Sequence, residues 1–527
     1  TSTGDMGLEG AFLQDGQGAV STAGDITTSN DNVTLQSATT LSGSVAIDAG
    51  ATGDVIMVNP DNDFNKKIFV TGNEISVLAK DVIEVQISAH GNTDIVSGGR
   101  LTVNGTLGQS SDLALTSETD ILFGNLSVQG DLQSVTRGPG TSGGVLQKAN
   151  TALSVHGAST FTADIGKDQV ATLTRSDNDF VGPVTFNDAN DGNWVSISIV
   201  DKNNLTLGDV TATGNLNATA ATDLVLSGDV SADTLDLTAT AGEINQTGGK
   251  LSVITGPTNL MAGTDITLNS ADNDFNGTVN AEGNNIALVD GIGGLTLGDI
   301  TAGGTFDVTS TDGAIDQANG TTIAVTGETT LVASDGGDPA TTYDITLDGA
   351  NNDFSTVNAE GANISLVDSG ALEFGVVTAT ANFSVTSTGD LTFGVVRVGG
   401  ALLAISNGGD ITQTGPIRVE GGAQFDAGSG VVDLPDSGNY FPSGVTAEGS
   451  SIVVTGDSNA TSSQASAGVL YQEVIVEEFA PVRLADSFSS SIVTTDVLGM
   501  SEADEQQIKM SLCMSSPVSA SLTCISD

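Results

Sequence analysis

Asp344-Ile345-Thr346-Leu347, a polar turn at Ala350-Asn351, then Asn352-Asp353-Phe354: this stretch decides the fold, because the chain keeps returning to it. The triplet recurs as Asn62-Asp63-Phe64, Asn178-Asp179-Phe180 and Asn273-Asp274-Phe275, and more loosely as Asn439-Tyr440-Phe441. Each copy follows a short polar turn, such as Pro60-Asp61, Ser176-Asp177 or Ala271-Asp272. A turn that recurs in this way marks a repeat architecture, in which each unit buries its apolar face only against its neighbours.

Two modules superpose almost position by position. After Phe354 come Val357-Asn358-Ala359-Glu360-Gly361, Ile364-Ser365-Leu366-Val367-Asp368 and later Gly409-Asp410-Ile411-Thr412-Gln413. After Phe275 come Val279-Asn280-Ala281-Glu282-Gly283, Ile286-Ala287-Leu288-Val289-Asp290 and Gly313-Ala314-Ile315-Asp316-Gln317. The step from Phe to the following Gln is 42 residues in one module (275 to 317) and 59 in the next (354 to 413), so modules gain or lose a block of roughly twenty residues. That is the length of one solenoid turn with two or three short strands. Apolar residues alternate with polar ones inside each run, the period of a half-buried strand. The reading is therefore all-β, a right-handed parallel β-helix with a small non-repetitive C-terminal segment, the hand following the usual chirality of parallel crossovers. The Phe of each triplet is read as an interior plug, and the turn Asn and Asp residues as ladders between turns.

Composition agrees with a narrow interior, since aromatic residues are only 4% and cannot fill a wide one. A net charge of −51, from 65 acidic against 14 basic residues, argues against nucleic acid and against an anionic membrane surface. It is read as a device that keeps a long sheet surface soluble and blocks lateral pairing. No run of eighteen or more apolar residues exists, so no transmembrane helix is expected. No basic segment followed by an apolar one opens at Thr1, so a signal peptide is read as missing or already removed.

Three regions follow: N-terminal coils over 1–55, which are a candidate polymer interface; the β-helix repeats over 56–468; and a cap or docking segment over 469–527. The last has a heavier strand at Val469–Val476 and the best helical stretch in the chain, Ser501–Met510, with Ser501 as cap. It also holds the only cysteines, Cys513 and Cys524, whose pairing would staple a small loop in an oxidising compartment.

The sequence resembles the long repeats of filamentous-haemagglutinin-like bacterial exoproteins secreted by the two-partner route. Asn352-Asp353-Phe354, the Ser365-Leu366-Val367-Asp368 element, Leu205-Thr206-Leu207-Gly208 with Val210-Thr211-Ala212-Thr213-Gly214-Asn215, and Gly409–Gln413 carry the likeness, over roughly residues 56–468 and most strongly 265–420. The resemblance implies a right-handed β-helix that is secreted or held at the bacterial cell surface. It implies adhesive, toxic or fibre-forming roles, with a host or cell-surface glycan or an outer-membrane transporter as partner. In the adhesin branch a C-terminal cysteine pair retains the protein on its transporter, and Cys513 and Cys524 are similar in placement. Asn-X-Ser/Thr sites at Asn32, Asn104, Asn204, Asn276, Asn363 and Asn382 are glycosylated in some such proteins. The characteristic secretion domain of that class is not recognisable in 1–55.

Enzymatic chemistry is the rival class, because β-helices also serve as polysaccharide lyases and glycosidases. With 65 acids a carboxylate pair can always be found, so pairing alone carries no signal. Arg397 and Arg418 lie one turn apart and are read as an exposed ion pair with Glu373 and Glu420. His90 and His156 stand in no metal or triad spacing and are read as surface residues. Asp61, Asp63, Asp177, Asp179, Asp272 and Asp274 have a faint calcium-ligand look but lack the nonapeptide pattern, so they are read first as turn residues. The expectation is a non-enzymatic extracellular rod without cofactor, with Ca²⁺ as the one candidate ion. Its copies stack head to tail into a fibre. A monomeric adhesin anchored through its cysteine loop is the alternative.

Overall fold

The computed structural model describes residues 2, 4–108, 110–137, 143–164, 168–190, 192–337 and 339–458. The chain divides into two compact units, 1–475 and 476–527, and the described residues all fall in the first. The expected strand at Val469–Val476, the helix at Ser501–Met510 and the cysteine pair lie outside them.

Among the described residues the strands stack in parallel as a β-solenoid of about 22 turns, with no helix. At about 4.8 Å per turn that unit extends on the order of 100 Å along its axis. Register pairs show the turn length directly: Ile345 pairs with Ile364, Ile364 with Phe383 and Phe383 with Leu402, a step of 19 residues each time. The step shortens to 17 between Ile68 and Val85. It lengthens to 30 between Ile315 and Ile345, where a loop tied by the antiparallel bridge Ser334–Thr342 is spliced in. Residues 1–55 belong to the same stack: Met6–Leu8 pairs with Ile26–Thr28, and Val45–Asp48 with Ile68–Gly72.

Alternation along each strand sets the interior. In Ile83–Ala89 the residues Ile83, Val85, Ile87 and Ala89 are buried, while Glu84, Gln86 and Ser88 face outward. Each fully buried aliphatic side chain contributes about 1.5–3 kcal/mol, offset by the entropy of ordering its residue. Two runs of stacked aromatic rings lie inside, apart from single buried rings such as Phe64 and Phe306. Phe123, Phe161, Phe186 and Trp194 follow one another at centroid distances of 6.3, 5.0 and 5.7 Å, and the Trp194 Nε1 donates to the Asn187 carbonyl at 2.8 Å. Phe374, Phe393, Phe425 and Phe441 follow at 5.4, 6.1 and 6.1 Å, with Phe383 edge-on to the first two.

Outside the strands, Asn and Asp form the expected ladders. Asp344 Oδ1 accepts from the Asn363 N–H, Asn363 Oδ1 from the Asn382 N–H, and Asn382 Oδ1 from the Ala401 N–H, at 3.0, 3.3 and 2.9 Å. Asn92, Asp112 and Asp131 make a second ladder ending on the Ala158 N–H. The candidate glycosylation residues Asn32, Asn204, Asn363 and Asn382 are rungs of such ladders. The glycine of the Leu-Thr-Leu-Gly motif has a related cause. A Cβ on Gly298 would stand 2.0 Å from Asn280 Oδ1, which lies beneath it and accepts the Asp299 N–H.

Phe393 packs against three other rings, so Phe393→Ala should cost about 3–5 kcal/mol in urea unfolding. Thr346→Ala, outward on its strand, should change stability by no more than about 0.5 kcal/mol.

Candidate functional site

The recurring triplet builds one arrangement five times. Asn62, Asn178, Asn273, Asn352 and Asn439 are all essentially inaccessible, as are the Phe residues two positions on. Such an amide has two donors and an acceptor to satisfy without water. In four copies it does so head to head with a Gln one turn earlier. Asn352 Oδ1 accepts from Gln317 Nε2 and Asn352 Nδ2 donates to Gln317 Oε1, both at 2.8 Å. The pairs Asn178–Gln147, Asn273–Gln246 and Asn439–Gln413 repeat this. The same Oδ1 also accepts a backbone N–H at the start of a strand one turn below, from Leu153, Leu251, Ile323 or Ile417. In the first copy Leu35 ends the corresponding strand in place of Gln. Asn62 accepts the Thr39 N–H and donates to the Met57 and Leu78 carbonyls.

Three copies add a buried carboxylate from the turn above. The N–H groups of Phe180, Phe275 and Phe354 donate to Asp201, Asp290 and Asp368 at 2.6, 2.9 and 2.8 Å. The other oxygen of Asp201 accepts the Asn203 N–H and that of Asp368 the Gly370 N–H, whereas Asp290 Oδ2 is buried with no hydrogen-bond partner. Burial pushes all three carboxyls above their ordinary range, Asp290 to about 6, where the Asp274 and Asp312 charges add to the rise. In the first module Ala79 stands where the later ones have Asp290 and Asp368.

The triplet's acids are not gathered. Asp61, Asp177 and Asp272 are exposed at their turns. Asp179 pairs with the Lys202 ammonium at 3.0 Å, Asp274 accepts from Asn276 Nδ2, and Asp63 Oδ1 is buried without a partner. Among the described residues no group of three acids, histidines or cysteines is placed to hold a metal ion, and no helix is long and apolar enough to cross a membrane. His90 and His156 are exposed. An open trough of about 340 Å³, with Ser76, Asn92, Asp94, Asp112 and Gln133 along it, runs over one face, and partial burial there raises the Asp94 carboxyl.

One expectation is corrected. Arg397 and Arg418 do stand in register on adjacent strands, but neither makes an ion pair with Glu373 or Glu420. Glu373 falls in a different outward column, opposite Thr392, and Glu420 lies past the end of the strand Ile417–Val419.

Each triplet thus pins its turn to its neighbours, and these pins coincide with the ends of a family's repeats. A family described as repeats of unknown function (DUF5649) matches residues 9–71, 110–187, 219–282, 283–359, 361–402 and 381–448. The chain belongs to this family. Five of the six DUF5649 segments close on a triplet: they end at 71, 187, 282, 359 and 448, within seven residues of Phe64, Phe180, Phe275, Phe354 and Phe441. The pin is thus the closing element of the repeat. No curated protein and no solved structure matches the chain.

Asn352→Ala strands Gln317 and the Ile323 N–H, and should cost about 3 kcal/mol or more in urea unfolding. Gln317→Leu, which copies the first module, should cost only about 1 kcal/mol. The pH response has a definite sign. Because the folded carboxyl of Asp290 titrates near 6 against an ordinary value of 3.8, its contribution to stability is complete below about 4 and is lost as pH rises through 6. The wild-type protein should therefore lose more stability between pH 5 and 7 than Asp290→Asn, a difference that urea midpoints at the two pH values would measure.

Proposed function

We propose that the chain is an extracellular structural or adhesive β-helix of the filamentous-haemagglutinin-like, two-partner-secreted kind, whose copies associate end to end into a fibre. The observation that carries this reading is that the recurrent triplet, with its Gln and Asp companions, is buried and spent on joining turns. A reaction centre needs to occur once and to meet substrate. A joint needs to recur, and this one closes five of the six family repeats.

End-to-end association is supported by the ladder itself: each turn offers its strand edges to the next, and a strand layer from a second copy would continue that pairing at the same spacing. The acidic surface suits the same role, because like charge along the flanks discourages side-by-side pairing and leaves the ends as the favourable contact. Retention at the cell surface through Cys513 and Cys524 is the finer form of this proposal.

Electron micrographs and sedimentation of the purified protein across a concentration series should show rods lengthening by whole multiples. Isolated short rods at every concentration would sink the assembly. Release of unsaturated or reducing ends from a polysaccharide panel would replace the structural role by an enzymatic one.

A further inference from the structure

We propose that Arg397, Arg418 and Tyr440 form a binding surface for an acidic sugar, one whose ring carries a carboxylate. This rests on the adhesive reading and says where, and through what chemistry, contact with a glycan is made.

The chain has 14 basic residues against 65 acidic ones, and a lone arginine on such a surface is expected to find a carboxylate. Lys67, Lys80, Arg100, Arg137, Lys148 and Lys202 all do so. Among the described residues Lys66, Arg175, Lys250, Arg397 and Arg418 do not, and of these Arg397 and Arg418 are the two that face one another in register. They are opposite one another in the parallel pairing of Leu391–Val398 with Ile417–Val419, both exposed, with Cα atoms about 4.8 Å apart along the axis. Two like charges on directly opposed strand positions repel, and no described residue relieves them.

The surroundings narrow the ligand. Tyr440 is the next position in register above Arg418, outward of the buried Phe441. The column therefore presents two guanidinium groups and then an aromatic ring over about 10 Å. Below Arg397 stands Thr378, which bounds the cationic stretch on that side. Val376 and Val395 fill the adjacent outward column, and Val376 is 49% exposed. Guanidinium forks bind a planar carboxylate through two parallel N–H···O bonds. The tyrosine ring and the valine ledge offer apolar faces for the C–H side of a sugar ring, with the phenol free to hydrogen-bond a hydroxyl. A bare anion would use the arginines alone, and an uncharged sugar the Tyr and Val alone. The acidic sugar uses both.

The net charge of −51 works against any anion at long range, but at about 0.15 M salt fields from distant acids are damped beyond about 8 Å, while contact bonds are not. Calorimetric titration at that salt with an oligogalacturonate, and with a neutral galactose oligomer of the same length, tests the idea. The acidic oligomer should bind and the neutral one should not. Arg397→Ala/Arg418→Ala should weaken binding by at least roughly tenfold. The corresponding double Lys variant, which keeps the charge but loses the forks, should fall between. Both arginines point outward, so unfolding midpoints should stay at the wild-type value and confirm that the variants are folded. Equal binding of the acidic and neutral oligomers, or unchanged affinity in the Ala variant, would overturn the proposal. So would a change in sedimentation of the Ala variant without any uronate binding by the wild type, which would assign the column to contact between copies. Fibre formation scored in parallel separates the two readings: fibres without uronate binding overturn this site and leave the assembly standing.

Discussion

Everything in this fold depends on a parallel ladder in which each turn is the template for the next. A turn of 19 residues has no interior of its own. Its inward side chains are buried only because the same column is occupied above and below, and its N–H and C=O groups are satisfied only by its neighbours. Large side chains are costly in such a narrow space unless they stack along the axis, as the two aromatic runs do. A buried polar group is tolerated only where an adjacent turn supplies its complement. The Asn–Gln pairs meet that condition in full, and Asp290, with one oxygen unpartnered, meets it in half.

Seen this way, the triplet joins three levels. Its Asn binds a Gln side chain and a strand N–H from below, and its Phe N–H binds a carboxylate from above. The three modules with both companions are the central ones. In the first, Leu35 and Ala79 replace Gln and Asp together, whereas the last keeps its Asn439–Gln413 pair with no such carboxylate among the described residues, so the Asn–Gln pair stands without the Asp.

Much of this was legible in the residues. The two-residue alternation, the recurring Asn-Asp-Phe and the twenty-residue blocks dictate parallel turns, and the turn ladders through Asp344, Asn363 and Asn382 follow from the same repetition. The partner of the buried Asn did not follow. Ladders of identical residues need copies in adjacent turns, but the triplets are several turns apart, so the partner has to be a different residue. Gln317 and Gln413 were visible as recurrent, yet spacing counted forward from the preceding Phe hid the fact that each bonds the next Asn, 35 and 26 residues later. That Arg397 and Arg418 meet no carboxylate among the described residues was equally hidden, because charge content shows how many acids exist and says nothing of which outward column each occupies.

The spacing of the pins has a mechanical meaning. Between them, turns are held by backbone ladders, exposed Asn and Asp ladders and dispersion, and a solenoid pulled from one end gives way turn by turn, each loss exposing the next edge. A pin ties three consecutive turns through bonds that must break together, so peeling stops there until the load rises. Under load the stack would therefore have stops at Asn62, Asn178, Asn273, Asn352 and Asn439, and extension would come in lengths set by the intervals between them.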